Sequence, residues 1–146
     1  MEPQLNTQAT TKKIKLDFKD SKYATGRRKK SIAKIWVKRG SGNIHVNGKK
    51  MADYFKKANL QIAIYRPLTI TKRENEYDVR CSVKGGGLTG QAGAIIHGMA
   101  RAIVLQEPDL KTILKKEKLT TRDSRAVERK KYGRKKARRS FQFSKR

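Results

Sequence analysis

The sequence predicts one small body of mixed strands and helices, followed by a long basic tail with no core of its own. Three observations carry this expectation. From Tyr77 to Lys84 the residues alternate: Tyr77, Val79, Cys81 and Val83 face one way and Asp78, Arg80, Ser82 and Lys84 the other, the period of a half-buried strand. Ala92, Ile95, Ile96, Met99 and Ile103 then recur at steps of three and four, one apolar face of a helix from about Thr89 to Leu105 that stops near Pro108. Between Lys111 and Arg146, by contrast, 16 basic residues stand against 3 acidic ones, and past Lys118 there is little to bury besides Val127, Tyr132, Phe141 and Phe143. Such a segment cannot offset the entropy of folding by itself. The expected division is an N-terminal arm over 1–22, a globular body over 23–117 and an extended tail over 118–146.

In chain order, the arm is polar, with Ile14, Leu16 and Phe18 alternating weakly. It lacks the apolar stretch of a secretory signal, and Glu2, Asp17 and Asp20, with no Arg in the arm, argue against a transit peptide. Gly26-Arg27-Arg28-Lys29-Lys30-Ser31 opens a first strand that continues through Lys38, with Ala33, Ile35 and Val37 on one side. Arg39 to Gly42 reads as a turn, and Asn43 to Val46 as the second strand of a hairpin, closed by Asn47-Gly48. Met51 to Tyr65 is expected to be helical in one or two pieces, ending before Pro67, because the residue preceding proline is disfavoured in a helix. Leu68 and Ile70 alternate with Thr69 and Thr71 as a short strand would, and Asp109 is placed to cap a last short helix, Leu110 to Lys116.

Composition narrows the function. The 146 residues carry a formal net charge of +26, from 38 Lys and Arg against 12 Asp and Glu. A compact protein so charged repels itself, and a polyanion relieves the repulsion; nucleic acid does so with counterion release. An anionic membrane fits less well, since no apolar run approaches the roughly 18 residues of a span and the basic segments lack an apolar face. A single cysteine, Cys81, excludes a disulfide framework and paired-cysteine zinc sites. The chain reads as soluble and intracellular.

Several motifs invite chemistry. Gly85-Gly86-Gly87-Leu88-Thr89-Gly90 matches a dinucleotide fingerprint in spelling, after a strand and before a helix. The fingerprint also needs a second parallel strand ending in an acid, and here Glu107-Pro108-Asp109 leads into another helix, so the nucleotide reading fails. Two readings of Gly85, Gly86 and Gly87 remain: backbone open to an RNA phosphate at a helix N-terminus, or tight packing of strand on helix. Across the helix from its apolar stripe, Gly90, Ala94 and His97 would let it lie against a backbone, with Arg101 reaching phosphate; an ordinary solvated face is the alternative. Arg27, Arg28, Lys29 and Lys30 form one basic run. Arg129, Lys130, Lys131, Tyr132, Arg134, Lys135, Lys136, Arg138 and Arg139 form another, with an aromatic interleaved as stacking on bases requires. Neither His45 nor His97 joins a recognisable catalytic set, Cys81 has inward parity, and Glu74, Glu76 and Asp78 suit a solvated turn better than a metal. No enzyme activity, cofactor or metal is expected.

Tyr23-Ala24-Thr25-Gly26-Arg27-Arg28-Lys29, Val83 to Ile95 around the triple glycine, Thr121-Arg122-Asp123-Ser124-Arg125, Val127 to Gly133 and the terminal Gln142-Phe143-Ser144-Lys145-Arg146 occur in one order. Together they resemble the bacterial and organellar form of small-subunit ribosomal protein nine. The resemblance implies a compact α+β body, mostly antiparallel sheet with helices packed on it, similar to the second domain of ribosomal protein S five. It implies binding to ribosomal RNA of the small-subunit head beside neighbouring head proteins, and adds Lys84, Arg122 and Arg125 to the expected RNA contacts. It implies a tail threading through that RNA, with Ser144, Lys145 and Arg146 approaching peptidyl-site transfer RNA. The implied location is a cytoplasmic ribosome of bacterial type, a plastid or mitochondrial one being the alternative. Ile96 stands where the family usually has Arg, and Phe141 where it usually has Pro, which removes one expected RNA contact and one stiff φ. A free-standing basic protein of chromatin or messenger RNA is the rival reading of the same charge.

Overall fold

A computed structural model describes residues 18–145. Most of the N-terminal arm, including Ile14 and Leu16, and the final Arg146 lie outside the described residues. Five strands form one sheet: β1 (Lys22–Arg28), β2 (Ser31–Arg39), β3 (Ile44–Val46), β4 (Lys49–Lys50) and β5 (Tyr77–Lys84), in the order β1-β2-β5-β3-β4. The helices are α1 (Met51–Tyr54), α2 (Ala58–Thr71), α3 (Leu88–Gln106) and α4 (Lys111–Lys116), with a single 3-10 turn over Pro108–Leu110. The architecture is the expected α+β class. The β1–β2, β2–β5 and β3–β4 pairings are antiparallel, and β3–β5 is parallel.

The alternation expected for β5 and the inward set Ala33, Ile35 and Val37 of β2 are observed: these residues are buried with Val79, Cys81 and Val83 under α3 and α2. The α3 stripe is buried at Ala92, Ile95, Met99 and Ile103, while Ile96 packs partly buried at its margin. Several local expectations need correction. Gly26, Arg27 and Arg28 do not begin β2. They end β1, and Lys29-Lys30 is a two-residue turn between antiparallel partners, with Arg28 opposite Ser31 and Lys29 at φ 51°. Nor do β2 and β3 form a hairpin, because β5 inserts between them. The hairpin with the favoured Asn-Gly turn is β3–β4, with Asn47 at φ 51° and Gly48 at φ 81°.

The strand expected at Leu68 to Thr71 is the last turn of α2, which passes through Pro67. Ile64, Pro67, Leu68 and Thr71 are all buried, a three-and-four spacing that packing against the core favours over the ladder bond proline lacks. The Thr71 hydroxyl donates to the Pro67 carbonyl at 2.9 Å, and the helix ends at Lys72 in left-handed conformation, where the Arg73 N–H returns to the Leu68 carbonyl at 3.0 Å. Asp109 lies inside the 3-10 turn, and no side chain caps α4. After Lys116 the described residues contain no helix or strand.

Candidate nucleic-acid interface

Helix α3 lies directly on β1. A Cβ on Gly26 would fall 1.9 Å from the Ala94 carbonyl oxygen, and one on Gly98 2.8 Å from the Gly26 nitrogen. The backbone that the small face of the helix was expected to meet is therefore the protein's own. β1 is an edge strand, and two α3 side chains each engage one of its outward backbone groups. The Arg27 N–H donates to His97 Nδ1 at 3.2 Å, and Arg101 Nη1 donates to the Thr25 carbonyl at 2.8 Å. Burial, then the neighbouring Arg101 charge, holds the His97 pKa below its ordinary value, consistent with a neutral imidazole accepting that bond.

The glycine turn is held by a chain of side-chain hydrogen bonds. Asn47 turns its carboxamide along β5, where Oδ1 accepts from the Val83 N–H at 2.9 Å and Nδ2 donates to the Val83 carbonyl at 3.1 Å. Nδ2 also reaches the Tyr54 hydroxyl at 3.4 Å, which donates to Gln91 Oε1 at 2.9 Å, and Gln91 Nε2 donates to the Gly85 carbonyl at 3.2 Å. Gly85 and Gly86 have φ of 75° and 62°, in the left-handed region that glycine tolerates. A Cβ on Gly86 would meet Ser31 Oγ at 2.2 Å, and that hydroxyl donates to the Gly85 carbonyl at 2.9 Å. Gly87 differs: nothing lies near the Cβ position, and no side chain caps the α3 N-terminus it begins.

Lys29 and Lys30, the glycine turn, the first residues of α3 and tail residues Ala126 to Arg129 line one cleft of 840 Å³. Lys29, Lys30, Leu88 and Val127 are exposed there, so cations, apolar surface and free helix N–H groups face one space. Lys84 is exposed at the adjoining end of β5. Arg28 has another task. Its side chain crosses Gly93 and ties down the root of the tail, with Nη1 2.9 Å from Asp123 Oδ1 and 3.2 Å from the Arg125 carbonyl. Arg125 closes on the same carboxylate at 2.8 Å, and these bonds hold the Asp123 pKa well below the carboxylate range. Sequence patterning did not single out Asn47, Tyr54 or Gln91 for this work; the Asn-Gly pair was the available signal.

Along the tail, Arg122, Arg129, Lys130, Lys131 and Tyr132 are exposed, as are Arg134, Lys135, Lys136, Arg138 and Arg139. Arg138 pairs with Glu128 at 2.7 Å, Arg134 bonds the Arg138 carbonyl at 2.9 Å, and Lys135 lies 5.7 Å from the Phe141 ring centroid. Ser144 and Lys145 are exposed. Among other groups, burial pushes the Cys81 thiol up to about 12, so it stays protonated. Asp78 Oδ1 accepts the backbone N–H groups of Ser41 and Asn43 at 3.0 and 2.9 Å, and Glu76 pairs with Arg73 at 2.8 Å. Among the described residues no cluster of His, Cys, Asp or Glu is arranged to hold a metal ion, and no helix is long and apolar enough to cross a membrane.

A strongly basic α+β body whose cations gather around an open cleft and continue into an exposed tail has the build of a structural RNA-binding protein. The family model described as ribosomal protein S9/S16 matches residues 26–146, and the chain belongs to that family. It is accordingly a structural protein of the small ribosomal subunit, bound to ribosomal RNA and working in translation, and not an enzyme.

Proposed function

We propose that the body docks on ribosomal RNA of the subunit head through the cleft between the Lys29-Lys30 turn, the glycine turn and Arg129, and that the tail continues along that RNA. In this reading residues 23–117 act as the folded unit and 118–146 as the RNA-following extension, while Arg27, Lys84, Arg122 and the cations from Lys130 to Arg139 make phosphate contacts. Ser144, Lys145 and Arg146 then reach peptidyl-site transfer RNA in a bacterial-type ribosome. The carrying observation is the convergence of two lysines, unblocked Gly87 and the α3 N-terminus on one cleft that the tail itself borders. Phosphate suits it, because helix N–H groups and lysines both favour anions there. Arg28 and Arg101 serve this reading indirectly, as the groups that fix the tail root and β1.

Filter binding of a head-domain RNA transcript across a salt series tests the docking surface. Replacing Lys29, Lys30 and Arg129 together by Ala should weaken binding and reduce the salt slope by about 3, near one per lost phosphate contact. An unchanged slope would remove the cleft from the interface.

A further inference from the structure

The helices cover one face of the sheet, and the opposite face carries a row of side chains that the cleft and tail do not use. Register places Tyr23 opposite Trp36, Trp36 opposite Arg80, Arg80 opposite His45 and His45 opposite Lys50, so one line crosses all five strands. The Tyr23 and Trp36 rings lie 5.3 Å apart at 43°, and the Arg80 guanidinium lies 5.6 Å from the Trp36 centroid. Tyr23 is 45 % exposed. Lys34 stands exposed on the same face, and Lys38 lies 5.1 Å from the Phe18 ring at its margin. Asp78, the acid that the described strands place on this face, accepts the backbone N–H groups of Ser41 and Asn43 with Oδ1.

We propose that this helix-free face is a second RNA surface, on which unpaired nucleotides stack against the Tyr23–Trp36 pair beside Arg80 while the flanking lysines hold their phosphates. Aromatic rings and guanidinium planes both stack bases, and the bases must be splayed from a helix to reach them. The cores of protein–protein interfaces are depleted in lysine, whereas here cations flank the aromatics. The proposal rests on the chain being an RNA-binding protein but not on the cleft, since it concerns the far side of the sheet.

Trp36 is the one tryptophan in the chain, so its emission reports on this face alone. The full-length protein is titrated with a short dye-labelled oligouridylate, and separately with a labelled RNA duplex. Dye anisotropy follows total binding, and tryptophan emission follows the face. The single strand should quench Trp36 saturably, and the duplex should bind without quenching. Trp36→Ala should weaken single-strand binding roughly tenfold, Arg80→Ala less, and Trp36→Phe by no more than about twofold, since stacking tolerates either ring. Binding by anisotropy with no quenching, or equal quenching by the duplex, overturns the proposal while leaving the RNA-binding reading intact. No binding of either RNA would overturn both. Quenching by a mixture of small-subunit proteins and not by oligouridylate would overturn it in favour of a protein occupant.

Discussion

In the seam between β1 and α3, arginines are turned to the protein: Arg101 closes the edge of β1, and Arg28 grips Asp123 and the Arg125 backbone. In the tail, Lys130, Lys131, Lys136 and Arg139 are exposed and frame no core. The same residue types bind the protein to itself in one region and stand exposed in the other. A run of cations in a sequence is therefore not one surface. Within Arg27 to Lys30 the structure separates a strand position, a clamp and a two-residue turn that lines the cleft.

That contrast can be broken most strongly at the seam. Gly26→Val forces a side chain into the Ala94 carbonyl and Gly98 backbone, which cannot rotate away, and should cost about 3 kcal/mol or more in urea unfolding. A cost below about 1 kcal/mol would mean that α3 yields easily and the seam is not what holds the body. Tyr77→Phe should cost about 2 kcal/mol, because the buried hydroxyl donates to Glu107 Oε1 at 2.5 Å and its loss removes a bond to a charged partner.

The same tyrosine sets a pH dependence. Burial first, then the Glu107 hydrogen bond, raises the Tyr77 pKa from 10.0 to about 12, and burial raises Cys81 from 9.0 to about 12. Both groups hold their protons more tightly when folded, so their stability contributions are complete below about pH 9 and are lost as pH rises toward 12. Urea midpoints measured against pH should fall over that window, and Tyr77→Phe should keep only the cysteine part of the fall. A flat profile in the native protein would contradict both shifts.

A smaller loss belongs to the glycine-turn network. Asn47→Gly keeps the left-handed backbone but strips the carboxamide from both Val83 backbone groups, at a cost of about 1 kcal/mol. Asn47→Ala should cost more by the strain of its φ, roughly 1 kcal/mol further; equal losses would show that the turn relaxes. The smallest effect on the body sharpens the comparison from the other side. Arg28→Ala should leave the unfolding midpoint of the body unmoved and speed tryptic cleavage at Arg122 and Arg125, because it releases the tail root alone. Unchanged cleavage would show that the Arg28–Asp123 pair anchors nothing.

The fold class and the long elements were legible because burial acts on periodicity: β5 and α3 fall where the alternating and three-to-four patterns run. Strand order was not legible, since nothing in Asn43 to Val46 says that Val79 to Cys81 will lie beside it in parallel. Asn47-Gly48 carries a legible turn signal, but the hairpin it closes is β3–β4, because β4 is two lysines with no pattern to detect. Pro67 misled in the ordinary direction: its local penalty is real, and the burial of Ile64, Leu68 and Thr71 outweighs it. In the basic runs, residue type does not tell which cation is turned to the protein: the placement of Arg28 depends on Gly93 leaving room for it and on the position of Asp123.

The proposed division between a body that anchors and a tail that serves a transient ligand is tested most directly at its last three residues. Ser144 and Lys145 are exposed and take no part in the core of the body. Their loss should therefore spare assembly. Purified small subunits carrying a chain that lacks these three residues are assayed by filter binding for transfer RNA in the peptidyl site. The account predicts near-normal incorporation into subunits and an affinity lowered roughly tenfold, with the deficit larger at low salt than at high because the lost contacts are electrostatic. Failed incorporation with unchanged transfer-RNA affinity in the subunits that do form would make the tip an anchor and contradict the account.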